Sequence, residues 1–247
     1  MSNGEIRYES ADGIATITID RPAKRNALTS AMCEGLHQAW RRFAEGEDRV
    51  AILTAAGNDV FTAGADLNDP PPRFWQAVPN LGVPVSKPII TAVSGLVVGA
   101  GVTMVAMSDL CVASSSTKFV YPEAKVGIAL GMISSVVARI PHKLAMELTL
   151  LGDAVSAERA YQVGFVNRVV PPGEQLAAAR EMAKTLAANA PLVVGMLKDM
   201  MLDTMPRGPV EEMYRTQRAV DRVMQSEDAK EGPLAFREKR RPQFRGR

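Results

Sequence analysis

Two stretches of small residues set the chemistry this chain can offer: VSGLVVGAGVTMVAMSD at 93–109, with three glycines in seven positions, and FTAGADL at 61–67. Glycine at that density admits tight turns and lets a backbone come close to a partner. Met104 stands where a dinucleotide fingerprint beginning at Gly99-x-Gly101 needs its third glycine, and Val102-Thr103 stand where a phosphate-binding loop needs a lysine and a hydroxyl. Neither nucleotide reading holds. A glycine pair alone also suits a turn made only for packing, and the small residues of FTAGADL permit close approach of neighbouring segments. Taken together, the two bends offer backbone N–H groups from independent segments to one acceptor. Two such donors make an oxyanion hole, in which positive dipoles await charge developing on a carbonyl oxygen.

Bends of this kind need strands and helices to present them. IATITI (14–19), VAILT (50–54), PIITAV (88–93) and LCVA (110–113) read as short buried strands. Between the first two, Met32, Leu36, Trp40 and Phe43 recur at intervals of four, four and three, the apolar stripe of an amphipathic helix. From about residue 132 the pattern turns helical, with Ser156 as an N-cap and Gly164 as a helix stop. Prolines at 70–72, 79, 84 and 88 make 68–88 the most irregular segment, predicted to be a loop lining a site rather than an interdomain linker. The helical last third, ending in AFREKRRPQF, is expected to pack on the core or on another subunit.

Whole-chain properties narrow the class. The 247 residues suit one α/β domain, alone or with a small appendage. A net charge of +2, from 29 basic and 27 acidic residues, gives no electrostatic case for a nucleic-acid or acidic-membrane partner. The opening MSNGEIRYES lacks the pattern of a secretory signal, and the glycines and threonines of the apolar 89–107 window argue against a membrane span. Cys33 and Cys111 have neither metal-ligand spacing nor a disulfide framework around them, so no metal is expected and a reduced, cytoplasmic compartment fits best.

Six stretches in order, RPAKRNAL (21–28), FTAGADL (61–67), GLVVGAGVTMVAMSD (95–109), YPEAKVGI (121–128), LLGDAVSAERAYQVGFVNRVV (150–170) and AFREKRRPQF (235–244), resemble nearly end to end the signature stretches of the enoyl-CoA hydratase/isomerase family, the crotonases. The resemblance implies an α/β fold, a crotonase-like spiral of ββα units over 1–190 carrying an acyl-CoA site. A helical oligomerisation region over 191–247 would follow, assembling a homotrimer or homohexamer.

Carried over by position, the resemblance implies oxyanion donors at the backbone N–H groups of Ala65 and Ala100. The family's second donor is usually a glycine, so the alanine serves only if its φ is negative. Family hydratases use two glutamates; the first falls on Thr103 and the second is retained as Glu123, the candidate acid/base. One glutamate fits the 1,3-proton shift of the family's isomerases, while hydration persists if Thr103 or another group holds the water. The aspartate of the dienoyl branch falls on Gly131, which disfavours that branch. The expected activity is therefore hydration or double-bond isomerisation of an enoyl-CoA, leaning to isomerisation. The alternative is a non-catalytic paralogue that binds acyl-CoA or a protein partner.

Coenzyme A is part of the substrate, so no separate cofactor is expected. Its implied contacts are Lys24, Arg25 and Ala27, of which the two cations suit a solvated turn equally well, with Ala63, Asp66, Leu67 and Gly99 on the bends. Phe236 and Lys239 match positions that reach the adenine and phosphates of a neighbouring subunit's ligand. Leu67, Val97, Leu130 and Met132 are acyl-pocket or core candidates, Asp109 reads as structural, and His37 and His142 read as surface histidines. The family's longer, partly helical segment at 68–86 is here short and proline-rich, with Phe74 and Trp75, so the acyl group stays open.

Overall fold

The computed structural model describes residues 4–127 and 132–247; Leu130 and Gly131 fall outside the described residues, as does the side chain of Met132. Two compact units divide between Gly208 and Pro209.

In the first unit a hairpin of β1 (Glu5–Ala11) and β2 (Ile14–Asp20) precedes α1 (Ser30–Glu45), whose N-cap Thr29 accepts the Met32 N–H at 3.2 Å. The predicted stripe is the buried face: Met32, Leu36, Trp40 and Phe43 are all interior. Then β3 (Val50–Ala55), β5 (Ile89–Val93), β7 (Leu110–Ser114) and β10 (Arg168–Val170) add in parallel to β2, giving the order β1-β2-β3-β5-β7-β10. These include all four predicted strands. Three-residue strands β4 (Val60–Thr62), β6 (Leu96–Val98) and β8 (Lys118–Val120) pair in parallel in a second sheet, closed by antiparallel β9 (Val155–Ser156). Successive strands thus alternate between sheets. Each ββ pair contributes one strand to either layer before α2 (Ala100–Met107) or α3 (Glu123–Val126) follows, a repeated ββα turn.

The larger sheet buries Val50, Ile52, Ile90 and Val112 under α6 (Gln175–Ala188), where Ala179 and Ala183 let the helix approach closely. Burying each such side chain is worth about 1.5–3 kcal/mol. The short helices α4 (His142–Met146) and α5 (Ala157–Gln162) intervene, and Ser156 caps α5 as predicted, accepting the Arg159 N–H at 3.2 Å. The 68–88 segment is less open than predicted. Phe74 and Trp75 are buried in a 3₁₀ turn, Phe74–Ala77, and Trp40 Nε1 donates to the Ala77 carbonyl at 2.8 Å.

Within the first unit, α7 (Pro191–Thr204) is fastened to the sheet by a buried charge. Lys198 Nζ lies 2.8 Å from Asp109 Oδ2 and donates to Asn80 Oδ1 at 2.9 Å and the Lys87 carbonyl at 2.8 Å. Asp109 also accepts the Ile89 N–H at 2.7 Å, the structural role its position suggested. Burial pushes the Asp109 carboxyl up and the Lys198 ammonium down, so for each group loss of water outweighs the partner's attraction.

The second unit holds α8 (Pro209–Met224) and α9 (Glu227–Arg237), packed on each other. Arg240 bridges both carboxylate oxygens of Glu231, and Asp228 accepts the Arg245 and Gly246 N–H groups, which ties the terminal residues back to α9. Phe236 is 85% exposed on this unit, and Lys239 is exposed with φ of 55°. Among the described residues no helix is long and apolar enough to cross a membrane, and no group of three metal-ligating side chains is assembled.

Candidate active site

The parallel strands β4, β6 and β8 end side by side, with Thr62 beside Val97 and Val98 beside Val120. The chain leaving them is Ala63-Gly64-Ala65, Gly99-Ala100 and Tyr121-Pro122-Glu123, so one sheet edge gathers three segments that are far apart in sequence.

The first bend is laced to the 21–28 loop. Asn26, buried, donates to the Ala56 and Val60 carbonyls at 3.0 and 2.8 Å, and its Oδ1 accepts the Arg21 N–H at 2.9 Å. The Ala63 N–H donates to Arg25 O at 3.0 Å, Leu28 N–H to Gly64 O at 2.8 Å, and Asp66 N–H to Leu28 O at 2.8 Å. Arg21 Nη1 pairs with Asp66 Oδ2 at 2.6 Å and also reaches Ala27 O at 3.1 Å. Its guanidinium holds the Asp66 carboxyl below the usual carboxylate range. Asp66 Oδ1 accepts the Asn68 N–H at 2.9 Å, so this carboxylate braces the two loops through both oxygens. The loop that carries Lys24, Arg25 and Ala27 is thereby fastened to the first bend, with both cations exposed. Leu67 is no core residue: it is 74% exposed, whereas Val97 is fully buried.

At the second bend the glycine requirement sits one residue before the expected donor. Gly99 has φ 54° and ψ −114°, a conformation that L-residues avoid, and its N–H is held by Val120 O at 2.9 Å. Ala100 is not among the residues of positive φ and opens α2, so the alanine fits. A Cβ added to Gly101 would come within 2.7 Å of Thr62 Cγ2 and 3.2 Å of Val97 Cγ1, which is why α2 can lie on β4 and β6. One added to Gly64 would stand 3.3 Å from Val98 O and 3.7 Å from Ala100 N, a measure of how closely the bends approach. Among the described residues no hydrogen bond is found for the N–H of Ala65 or of Ala100.

Glu123, half-buried, starts the single turn of α3, with its carboxylate near the Tyr121 hydroxyl. Burial, and then the neighbouring Glu123 carboxylate, push the Tyr121 hydroxyl well above its ordinary range, so it stays protonated. Neither Tyr121 nor Arg21 was singled out from the sequence, although both lie inside quoted motifs: a tyrosine after a strand reads as packing and an arginine in a turn as solvated. Thr103 is buried on α2, while His142 is exposed and His37 half-buried, away from these segments in sequence. Two N–H groups without a partner among the described residues, and a carboxylate on an adjoining segment, are the kinds of group that hold a developing oxyanion and move a proton.

Comparison with known proteins agrees in kind. A family model described as enoyl-CoA hydratase/isomerase matches residues 9–247. A carnitinyl-CoA dehydratase of Salmonella arizonae is 36% identical and one of Proteus mirabilis 34%, each aligned over 98% of both chains. Among solved structures, a carnitinyl-CoA hydratase from Mycobacterium avium superposes with a TM-score of 0.75 at 35% identity, covering 98% of each chain. A probable enoyl-CoA hydratase/isomerase from Mycobacterium abscessus gives 0.75 at 37%, covering 100% of each.

Proposed function

Because this chain belongs to the enoyl-CoA hydratase/isomerase family and is an acyl-CoA-processing enzyme with the crotonase fold, we propose that it interconverts a β-hydroxyacyl-CoA and its 2-enoyl-CoA by loss or addition of water. In dehydration the Glu123 carboxylate takes the α-proton and the electron pair moves onto the thioester oxygen, which accepts from the Ala65 and Ala100 N–H groups. The enolate then collapses, expels hydroxide from Cβ, and the proton on Glu123 joins it as water. Hydration is the reverse. The observation that carries this reading is the common edge of β4, β6 and β8, from which two amides without a partner among the described residues and the segment of Glu123 emerge together. Relatives named carnitinyl-CoA dehydratase support water elimination. The 1,3-proton shift of a 3-enoyl-CoA is a second reading, favoured by the one carboxylate: its first step is the same, and Glu123 returns the proton to the γ-carbon.

The proposal includes a homotrimer or homohexamer in which Phe236 and Lys239 serve a neighbouring subunit's ligand, with Lys24, Arg25 and Ala27 on its adenine and phosphates. The deciding assay follows the ultraviolet absorbance of the conjugated thioester with crotonyl-CoA, carnitinyl-CoA and a 3-enoyl-CoA. Loss with the first or gain with the second supports hydration and dehydration; gain with the third alone supports isomerisation. No change with any, while CoA thioesters still bind, would leave a non-catalytic binder.

Gly99→Ala tests the backbone geometry. The added methyl meets nothing within 4 Å, so its effect comes from the disallowed φ, a strain of about 1–3 kcal/mol. Relaxing it turns the Ala100 N–H, and kcat/KM is expected to fall roughly tenfold, short of the ~10²-fold for losing a donor outright. Wild-type kinetics in this variant would separate the Gly99 conformation from catalysis.

A further inference from the structure

Along the first bend, residues 63–66, the backbone N–H groups are held inside the protein with one exception among the described hydrogen bonds. The Ala63 N–H goes to Arg25 O at 3.0 Å, the Gly64 N–H to Thr62 Oγ1 at 3.0 Å and the Asp66 N–H to Leu28 O at 2.8 Å; the Ala65 N–H has no such partner. Its direction follows from its own peptide unit. In a planar trans peptide the C=O and N–H point opposite ways, and the described residues include no cis bond. Gly64 O is held by the Leu28 N–H at 2.8 Å, so the Ala65 N–H points away from the 21–28 loop. The loop, through the isolated parallel bridge of Leu28 with Ala65, therefore sets where this donor aims.

That loop is strained. Arg25 and Asn26 have φ of 52° and 53°, and an arginine keeps such a conformation only where its surroundings impose it. On one side the buried Asn26 imposes it: besides its side-chain bonds, its carbonyl accepts from Thr62 Oγ1 at 2.7 Å, the same oxygen that holds the Gly64 N–H. On the other side stands Arg21. Its Nη1 bridges Ala27 O and Asp66 Oδ2, which are the neighbours of Leu28 and of Ala65, so one nitrogen stitches both strands of the bridge. The paired side chains are only 13% and 12% exposed, and Arg21 Nε is buried without a partner. A buried pair left incomplete is a poor device for stability alone. Its placement across the bridge suits it to fixing geometry.

Resting on the oxyanion reading above, we infer that Arg21 and Asp66 are a positioning pair for carbonyl polarisation: they lock the bridge of Leu28 with Ala65 and so aim the Ala65 N–H at the thioester oxygen. Asp66 carries charge of the same sign as the phosphates of CoA, and its two oxygens accept from Arg21 and from the Asn68 N–H. It serves by holding the arginine rather than the ligand. In this role neither residue touches the reacting atoms.

The test compares Arg21→Met, Arg21→Lys and Asp66→Asn in the full chain. Three quantities are read beside Tm: the infrared carbonyl band of bound, carbonyl-labelled butyryl-CoA, and kcat/KM for hydration of crotonyl-CoA and of crotonyl-N-acetylcysteamine, a thioester without the nucleotide. Binding to the wild type should lower the band relative to the free thioester. Arg21→Met should return it about halfway and lower kcat/KM roughly tenfold, by the same factor for both thioesters, as a turned rather than a missing donor would. Arg21→Lys, which keeps the charge, should lose less. Asp66→Asn should move the band in the same direction, and it decides the matter should Arg21→Met not fold. A loss confined to the CoA thioester would make Arg21 a nucleotide contact, and a lowered Tm with band and kcat/KM unchanged would make the pair structural only; either overturns the assignment. A wild-type band at the position of the free thioester overturns the oxyanion reading and the pair with it, whereas a wild type that lowers the band and hydrates, beside indifferent Arg21→Met and Asp66→Asn, overturns the pair alone.

Discussion

Glu123→Gln is expected to lower kcat for hydration and dehydration by roughly 10²-fold or more, the usual cost of losing a positioned acid/base. The amide keeps the volume of the carboxylate, so the turn of α3 and the packing of Tyr121 are preserved. What it lacks is the capacity to hold a proton between α-carbon and water. Ligand affinity should therefore change little, since the amides of Ala65 and Ala100 and the cations at Lys24 and Arg25 are untouched. Steady-state kinetics on the same substrates decide the matter, and an unimpaired variant would remove Glu123 from its role.

The second large effect is on stability. Lys198→Met should destabilise the folded chain by about 3–5 kcal/mol, because it strands a buried carboxylate rather than merely deleting an attraction. The side chains of Lys198 and Asp109 are 7% and 19% exposed and lie 2.8 Å apart, with Asn80 and Lys87 O completing the cage. Both groups are already pushed toward their neutral forms by burial, so the intact pair contributes little net free energy while each member depends on the other. Adding Asp109→Asn to Lys198→Met should recover much of the loss. Urea unfolding reads this as a lower midpoint at constant slope for the single variant and a partial return for the double. A single variant within about 0.5 kcal/mol of the wild type, the range of ordinary surface changes, would contradict the buried pair.

The elements legible in the sequence are those whose physics is local. β2, β3, β5 and β7 are covered on both faces and so appear as unbroken apolar runs. α1 shows its period because one face is wet. The strands that carry the site, β4, β6 and β8, are three residues each, too short to display any period, and were seen only through the glycines and motifs after them. Glycine density located both bends, and positive φ belongs to Gly64 and Gly99, each just before one of the candidate donors Ala65 and Ala100. The proline-rich 68–88 segment has no pattern to betray that Phe74 and Trp75 are interior. Lys198 escaped notice because a lysine on a helix reads as solvent-facing, and only its distant partner Asp109 explains its burial. Tyr121 is influenced by the carboxylate two places on, a pairing that no periodicity encodes.

The amides of Ala65 and Ala100 belong to the main chain, and a main-chain N–H survives every replacement except proline. In the proposed reaction the side chains at those two positions therefore bear on the polarising step only through their fit, whereas Glu123 acts through its side chain itself. On that proposal, a lineage built on this scaffold can trade one thioester reaction for another by isolated substitutions and still inherit the main-chain donors.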